Sequence, residues 1–232
     1  MDALAEVRWA QAFPWLTQTR QSRQLRHLLE MAEVSCVTSA AQLRAVGKSE
    51  QALRAEHFAS HIRLRLDQPE IARWLHAASR SLHDATDTGL MIESALAGGL
   101  GLMAADRGNV QVFDPVTGTL RVVAQVGFNS EFLEYFAVVD DTSSACGRAA
   151  HSGQTVITDV NLDPGFAPHR EIAAASGFRA VQSTPLTDLS GQLRGVLSTH
   201  YSIPYEPPRD RLLAMTIYGQ LIAEQLRPKV PA

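Results

Sequence analysis

The first hundred residues carry apolar side chains at the spacing of amphipathic helices. One run at positions i, i+3, i+4, i+7 and i+11 consists of Leu25, Leu28, Leu29, Ala32 and Cys36. Ser49, Asp67 and Asp87, which are residues suited to starting a helix, precede further runs with the same period. The pattern therefore predicts a succession of helices up to residue 106.

Beyond residue 106 the periodicity changes from that of a helix to that of a strand. Residues 109–126 read as two strands around a turn at Asp114 to Gly118, which predicts a hairpin. Residues 181–201 predict a second hairpin, whose turn ends in Gly191. The downstream half is therefore predicted to contain a sheet.

Shorter elements are predicted between and after the two hairpins. Ser143 or Ser144 can cap a short helix that Gly153 ends. Residues 155–157 predict a third strand, and residues 207–226 predict a closing amphipathic helix. The predicted order is therefore helices, a hairpin, short helices with a strand between them, a second hairpin and a closing helix.

Three segments carry a resemblance to a known family. They are GNVQVFDPVTGTLRVVAQVGF, ACGRAAHSGQTVITDVNLDPGF and RAVQSTPLTDLSGQLRGVLSTHYS. Together they resemble a GAF domain of the kind found in bacterial signalling proteins, across residues 69–227. The resemblance implies an α+β fold with a central antiparallel sheet of five to six strands, terminal helices on one face and a ligand pocket on the other. We therefore expect a helical N-terminal segment at 1–66, for dimerisation or docking, and a GAF-like sensory domain at 67–232.

Composition excludes some classes of protein. The pI is near 6.2 and the chain has only two lysines, whereas a nucleic-acid binder is expected to carry a strongly basic stripe. No run reaches the ~18 apolar residues needed to cross a bilayer, and the first residues lack the plan of a secretory signal. Two cysteines, Cys36 and Cys146, do not indicate a disulfide framework. We expect a cytoplasmic protein without membrane or nucleic-acid partners.

Candidate ligand-binding residues come from the strands and their connections. Alternation along a strand places every second side chain on one face, so polar residues at such positions can line a cavity floor. The candidate set is Asn109, Gln111, Phe113, Cys146, Asp159, Phe166, Gln182, Thr184, Ser198 and His200. Alternatively, its polar members are satisfied groups at strand ends or on a solvated edge.

Two residues of this set offer more specific chemistry. Cys146 falls in the first turn of a predicted helix, where the helix dipole lowers a thiol pKa, although a free cysteine is often a small buried hydrophobe. His200 could ligate a heme iron, but the sequence requires no cofactor. His57 and His61 have the i, i+4 spacing of a metal pair without a third ligand. No nucleophile–base pair or phosphate loop is evident, so neither catalysis nor a metal site is predicted.

The sequence leaves two functions open. In the first, a sensory module binds a small molecule and relays the signal to a partner, such as a histidine kinase or regulator, through flanking helices. In the second, an interaction or dimerisation module retains a vestigial pocket. Both include a homodimer through the terminal helices, as is common in the family that the sequence resembles. A cysteine-based redox sensor or a heme sensor is a weaker alternative. The free methionine sulfoxide reductases share this fold but use several thiols around one pocket.

Overall fold

The structure is a computed structural model that describes residues 20–228. Residues 1–19, which belong to the predicted N-terminal segment, lie outside the described part. The chain divides into two compact units between His76 and Ala77. No helix in the described part is long and apolar enough to cross a membrane.

The first unit is built around a helical hairpin. Helices α1 (Arg20–Ala45) and α2 (Ser49–Asp67) pack against each other and are connected at Gly47, whose φ of +76° suits glycine. The ion pair between Arg44 and Glu56, at 2.6 Å, joins the two helices near this connection. Helix α3 (Pro69–Asp84) then continues the chain into the second unit.

The second unit contains one sheet and the helices around it. Its helices are α4 (Thr88–Met103), α5 (Ser130–Tyr135), α6 (Ala145–Ser152), the 3₁₀ helix η1 (Pro164–His169), α7 (Arg170–Ala175) and α8 (Arg209–Gln225). Its strands are β1 (Arg107–Asp114), β2 (Thr119–Val126), β3 (Val138–Val139), β4 (Val156–Asp159), β5 (Ala180–Thr187) and β6 (Leu193–Tyr201). Within the described residues the sheet has six strands in the order β3-β2-β1-β6-β5-β4, and every neighbouring pair is antiparallel. The predicted α+β fold with a five- to six-stranded antiparallel sheet is confirmed.

Helices α4 and α8 cover one face of the sheet. A Cβ atom on Gly99 of α4 would lie 2.9 Å from Leu197 Cδ1 of β6, so glycine lets the helix approach the sheet closely. The other face carries a second apolar core, formed with α5, α6, η1 and α7. The candidate site lies within this second core.

Local signals in the sequence explain the helix that borders the site. Ser144 caps α6 by accepting a hydrogen bond from the Gly147 N–H at 3.1 Å, and Gly153 ends the helix with a φ of +66°. The predicted boundaries of this helix are therefore confirmed. The two-residue strand β3 escaped prediction because two residues carry no periodicity.

Candidate functional site

Three adjacent strands form the floor of a cavity on the face opposite α4 and α8. The register pairs Asn109 of β1 with Ser198 of β6, and Ser198 with Ser183 of β5. Directly paired residues of antiparallel strands project to the same face, so these three side chains meet. The Ser183 and Ser198 hydroxyls are 2.8 Å apart and hydrogen-bonded. Gln111 and His200 extend this polar floor.

Aromatic residues and the start of α6 form the walls. Phe132, Phe136, Phe166 and Phe178 line the cavity together with Ser144, Ala145 and Cys146. The ring centroids of Phe132 and Phe136 are 4.8 Å apart, and that of Phe178 lies 4.7 Å from the His200 ring. The walls are therefore apolar and flat, whereas the floor is polar.

The cavity is small in this conformation. Its volume is about 20 Å³, which is room for about one water molecule. A larger ligand enters only if wall segments move. The segments that hold the walls together therefore determine access.

Three polar atoms of the cavity lining are buried without a hydrogen-bond partner among the described residues. They are Asn109 Oδ1, Gln111 Oε1 and His200 Nδ1. These side chains are 4%, 1% and 5% exposed. Buried polar atoms are nearly always satisfied by protein, water or ligand, and leaving one unsatisfied costs about 1–3 kcal/mol. A water or another small molecule in the cavity would complete the hydrogen bonding of this floor.

The chemistry of the floor is uncharged. Burial lowers the pKa of His200 to about 3, and the positive charge of Arg107 adds to this effect, so the imidazole is neutral near pH 7. Arg107 itself donates a hydrogen bond to the Gly177 carbonyl at 2.8 Å and does not line the cavity.

Cys146 lines the cavity as a protonated thiol. Burial raises its pKa, although hydrogen bonds from Ser144, the Gly147 N–H and Gln111 oppose this effect. Of the two alternatives for Cys146, this favours the small buried hydrophobe, because desolvation outweighs the effect of the helix terminus. Arg148, a candidate partner for a thiolate, instead forms an ion pair with Asp163 at 2.6 Å.

A hydrogen-bonded chain ties three wall segments together. His169 at the end of η1 lies 3.0 Å through Nδ1 from the Tyr135 hydroxyl of α5, and 2.8 Å through Nε2 from the Ser143 hydroxyl before α6. Ser143 also donates to Asp141 Oδ1 at 2.7 Å. Tyr135, Asp141, Ser143 and His169 are called the His169 bridge below. It therefore links three segments that carry wall residues.

The His169 bridge differs from a catalytic triad. A carboxylate that activates a serine–histidine pair bonds to the histidine, whereas Asp141 bonds to the serine and competes for its proton. Burial lowers the pKa of His169 first, with Asp141 opposing and Arg148 adding to the effect, so its neutral form is favoured. This arrangement supports a structural link and not a nucleophile.

Six of the ten candidate residues come together at the cavity. They are Asn109, Gln111, Cys146, Phe166, Ser198 and His200. Phe113 packs against the edge of the same core without lining the cavity. Asp159 pairs with Arg179 at 2.8 Å at the end of β4 and is also outside the lining.

Gln182 and Thr184 were expected on the cavity floor, and the structure corrects this expectation. Gln182 Nε2 donates to Thr184 Oγ1, and Thr184 faces Gly219 of α8, so both lie on the opposite side of the sheet. The reason is the register of β5 against β6, which pairs Ser183 with Ser198 and Val181 with His200. Ser183 and Val181 therefore occupy the floor positions that were assigned to their neighbours.

The sequence interpretation also missed most of the walls. Phe132, Phe136 and Phe178 carry no motif, and only the tertiary fold brings α5 and the segment after α7 over the sheet. Ser144 was identified as a helix cap but not as a lining residue. A signal for the wall exists only in the density of phenylalanine between residues 128 and 136.

The residues present do not fit a heme. The His200 ring is surrounded by Phe128, Phe132 and Phe178, with centroids 4.7 to 5.8 Å away. A cavity of about 20 Å³ has no room for a porphyrin. Among the described residues no group of three or more His, Cys, Asp and Glu side chains could hold a metal ion.

Fold and site together define a single-sheet α+β domain with helices on one face and a small, partly open cavity with a polar floor on the other. The family model described as GAF domain matches residues 100–226. Since the match covers more than half of the chain, the protein belongs to the GAF domain family. No curated protein matches the sequence at a significant level.

Solved structures support the same fold. The GAF domain from a phosphoenolpyruvate-protein phosphotransferase of Coxiella burnetii has a TM-score of 0.60 at 14% identity, over 68% of this chain and 94% of that chain. Free methionine-R-sulfoxide reductase from Neisseria meningitidis, in complex with its substrate, has a TM-score of 0.55 at 18% identity, over 67% and 87%. The chromophore-binding domain of an unusual bacteriophytochrome from R. palustris has a TM-score of 0.53 at 20% identity, over 68% and 60%, so this chain spans less than two thirds of it.

Proposed function

We propose that this protein is a non-catalytic sensory GAF-domain protein that binds a small molecule in the cavity and relays its presence to a partner. The observation that carries the proposal is the set of three buried, unpartnered polar atoms on the cavity floor, among the described residues. A ligand that satisfies them gains hydrogen bonds that the empty protein leaves unmade. The phytochrome domain with a similar fold is described as chromophore-binding, which is consistent with a ligand site in this architecture.

The geometry supports a non-catalytic role. Cys146 is the one cysteine of the sequence in the cavity, and Cys36 belongs to the other compact unit. The reductases of similar fold use several thiols around one pocket. A single protonated thiol therefore does not support that activity in this chain.

The relay runs from the floor to helix α8. Strand β5, which carries Ser183 of the floor, ends in a turn that is bonded to α8, because Glu224 Oε1 accepts the Leu189 N–H at 2.7 Å. In the same turn the buried Asp188 carboxylate pairs with Arg194 at 2.8 Å. A ligand that shifts the floor would move this turn and the end of α8. Such a ligand must bind one helix arrangement more tightly than the other.

The helices support the proposed partners of the protein. We propose that a homodimer forms through the terminal helices α3 and α8 in the cytoplasm, and that a histidine kinase or regulator receives the signal. Residues 1–66 would serve as the dimerisation or docking segment. Within it Leu28, Met31 and Val34 are more than half exposed, which supports a surface for another protein.

Thermal unfolding of the full chain tests ligand binding. A molecule that binds the folded state raises the unfolding midpoint, so the low-molecular-mass fraction of a cell extract should raise it. The Gln111→Met variant, which removes one floor acceptor at similar volume, should lose this shift. The Gln182→Met variant is the matched control, because its amide oxygen is also buried and unpartnered among the described residues but lies on the opposite face. Equal midpoint shifts in both variants would contradict binding at the floor.

A second candidate function is an interaction module with a vestigial pocket. The cavity volume of about 20 Å³ favours it, because water alone could fill that space. If the protein has this second function, the dimer should form, and no extract fraction should change the unfolding midpoint of the wild type.

A further inference from the structure

We infer that the ligand of this cavity is a neutral molecule with N–H donors, such as a primary amide or a urea, and not a carboxylate or a phosphate. The inference rests on the proposed function, since it names the ligand class of the same cavity. It follows from three separate properties of the lining: its charge, the direction of its hydrogen-bonding groups and its shape.

The first property is the absence of charge among the described lining residues. All of them are apolar or neutral polar side chains, and burial keeps the imidazole of His200 and the thiol of Cys146 uncharged. Of the neighbouring cations, Arg148 pairs with Asp163, and Arg107, whose charge reaches His200, bonds the Gly177 carbonyl and does not line the cavity. An anion in this cavity would lose its hydration without a charged side chain in contact with it, which is unfavourable.

The second property is the direction of the floor amides. The Gln111 side-chain oxygen is buried without a hydrogen-bond partner among the described residues. Asn109 likewise has its side-chain oxygen buried and unpartnered there. Both oxygens are acceptors, and a carboxylate has only acceptors to set against them at neutral pH. A ligand N–H group matches these oxygens, and His200 Nδ1 can serve as donor or acceptor according to its tautomer.

The third property is the flatness of the walls. Phe132 and Phe178 cross at an interplanar angle of 81°, with centroids 6.1 Å apart, next to the floor. Aromatic faces and edges of this kind pack well against planar groups. An amide or urea is planar and small, so it requires little widening of a cavity of about 20 Å³. The three properties therefore select one chemical class.

Pairs of probes that differ in charge but not in shape test the inference. The full chain is titrated with benzamide and benzoate, and with acetamide and acetate, each up to about 10 mM. Binding is followed in nuclear magnetic resonance spectra through the side-chain NH₂ signals of Asn109 and Gln111. We expect the amides to shift these signals, with dissociation constants at least about tenfold lower than those of the matching anions.

Variants locate the binding on the floor. Gln111→Met should weaken acetamide binding about fivefold or more, because one acceptor is lost. Gln182→Met, on the opposite face, should leave it unchanged. If Gln111→Met does not fold, Asn109→Leu tests the same point through the other acceptor.

Each contrary outcome has a separate meaning. Anions that bind as tightly as the amides, and that Gln111→Met weakens, would overturn the ligand class while leaving the proposed function in place. Amides that bind equally well to the wild type and to Gln111→Met would overturn the assignment of the floor. If no probe shifts the Asn109 and Gln111 signals, the ligand class is overturned, and the extract experiment decides separately on the proposed function.

Discussion

Replacing His169 by phenylalanine should open the cavity without emptying the core. The variant removes the hydrogen bonds from Nδ1 to Tyr135 at 3.0 Å and from Nε2 to Ser143 at 2.8 Å, while an aromatic ring remains beside Phe136 and Phe166. Each such bond contributes about 0.5–1.5 kcal/mol. Their loss therefore favours the open state by about 1–3 kcal/mol, which is about 5- to 150-fold in the opening equilibrium.

The buried thiol of Cys146 reports this opening. In a Cys36→Ser background it is the one thiol left in the sequence, and a small neutral reagent such as methyl methanethiosulfonate reaches it only when the cavity walls separate. Cys146 should be labelled about 5- to 150-fold faster in His169→Phe than in the parent. Replacing His151, an exposed residue of α6, by phenylalanine provides the matched control.

The global stability of each variant must be measured beside the labelling rate. Urea unfolding gives the free energy of unfolding of each variant, from which the increase in labelling rate caused by unfolding of the whole molecule is calculated. If His169→Phe labels Cys146 no faster than His151→Phe after this correction, the His169 bridge does not hold the walls closed. The reasoning about access to the cavity would then be refuted.

Further predictions concern pH, glycine and the relay. The pKa of His200 is about 3 in the folded protein and near 6.5 when unfolded, so acidification protonates the unfolded state first and removes stability as the pH falls below 6.5. At about pH 5 the contribution of His200 to this loss is about 2 kcal/mol, so urea unfolding should show a loss that is smaller by about this amount in His200→Asn than in His151→Asn. Gly195→Ala should destabilise the protein by about 1–3 kcal/mol in thermal unfolding, because the new Cβ would clash with the Gln111 carbonyl. The control Gly101→Ala should instead stabilise it by about 0.5–1 kcal/mol, because a Cβ at Gly101 would have nothing within 4 Å. Asp188→Asn should lower the free energy of unfolding by about 3 kcal/mol, since Arg194 would lose its buried partner. It should also speed hydrogen exchange at the end of α8, and unchanged exchange there would exclude the turn from the relay.

The fold was predictable because its signals are local. Alternation along the strands and the glycine-containing turns define both hairpins, and Ser144 and Gly153 mark the ends of α6. These features depend on neighbours in the sequence, so a single chain reveals them.

The site was predictable only in part because its geometry is not local. Alternation separates Gln182 from Ser183 but does not say which of them faces the cavity, since the register of the whole hairpin decides it. The position of Cys146 in α6 was predicted, but its pKa depends on the aromatic walls that bury it. The walls come from segments that only the tertiary structure brings together.

Native mass spectrometry of the freshly purified full chain tests most directly whether the cavity holds a ligand. We expect one additional small mass per chain, absent after denaturation, reduced in Gln111→Met and retained in Gln182→Met. A retained mass in Gln111→Met, or a wild-type chain that stays unliganded after incubation with the low-molecular-mass extract, would contradict the claim.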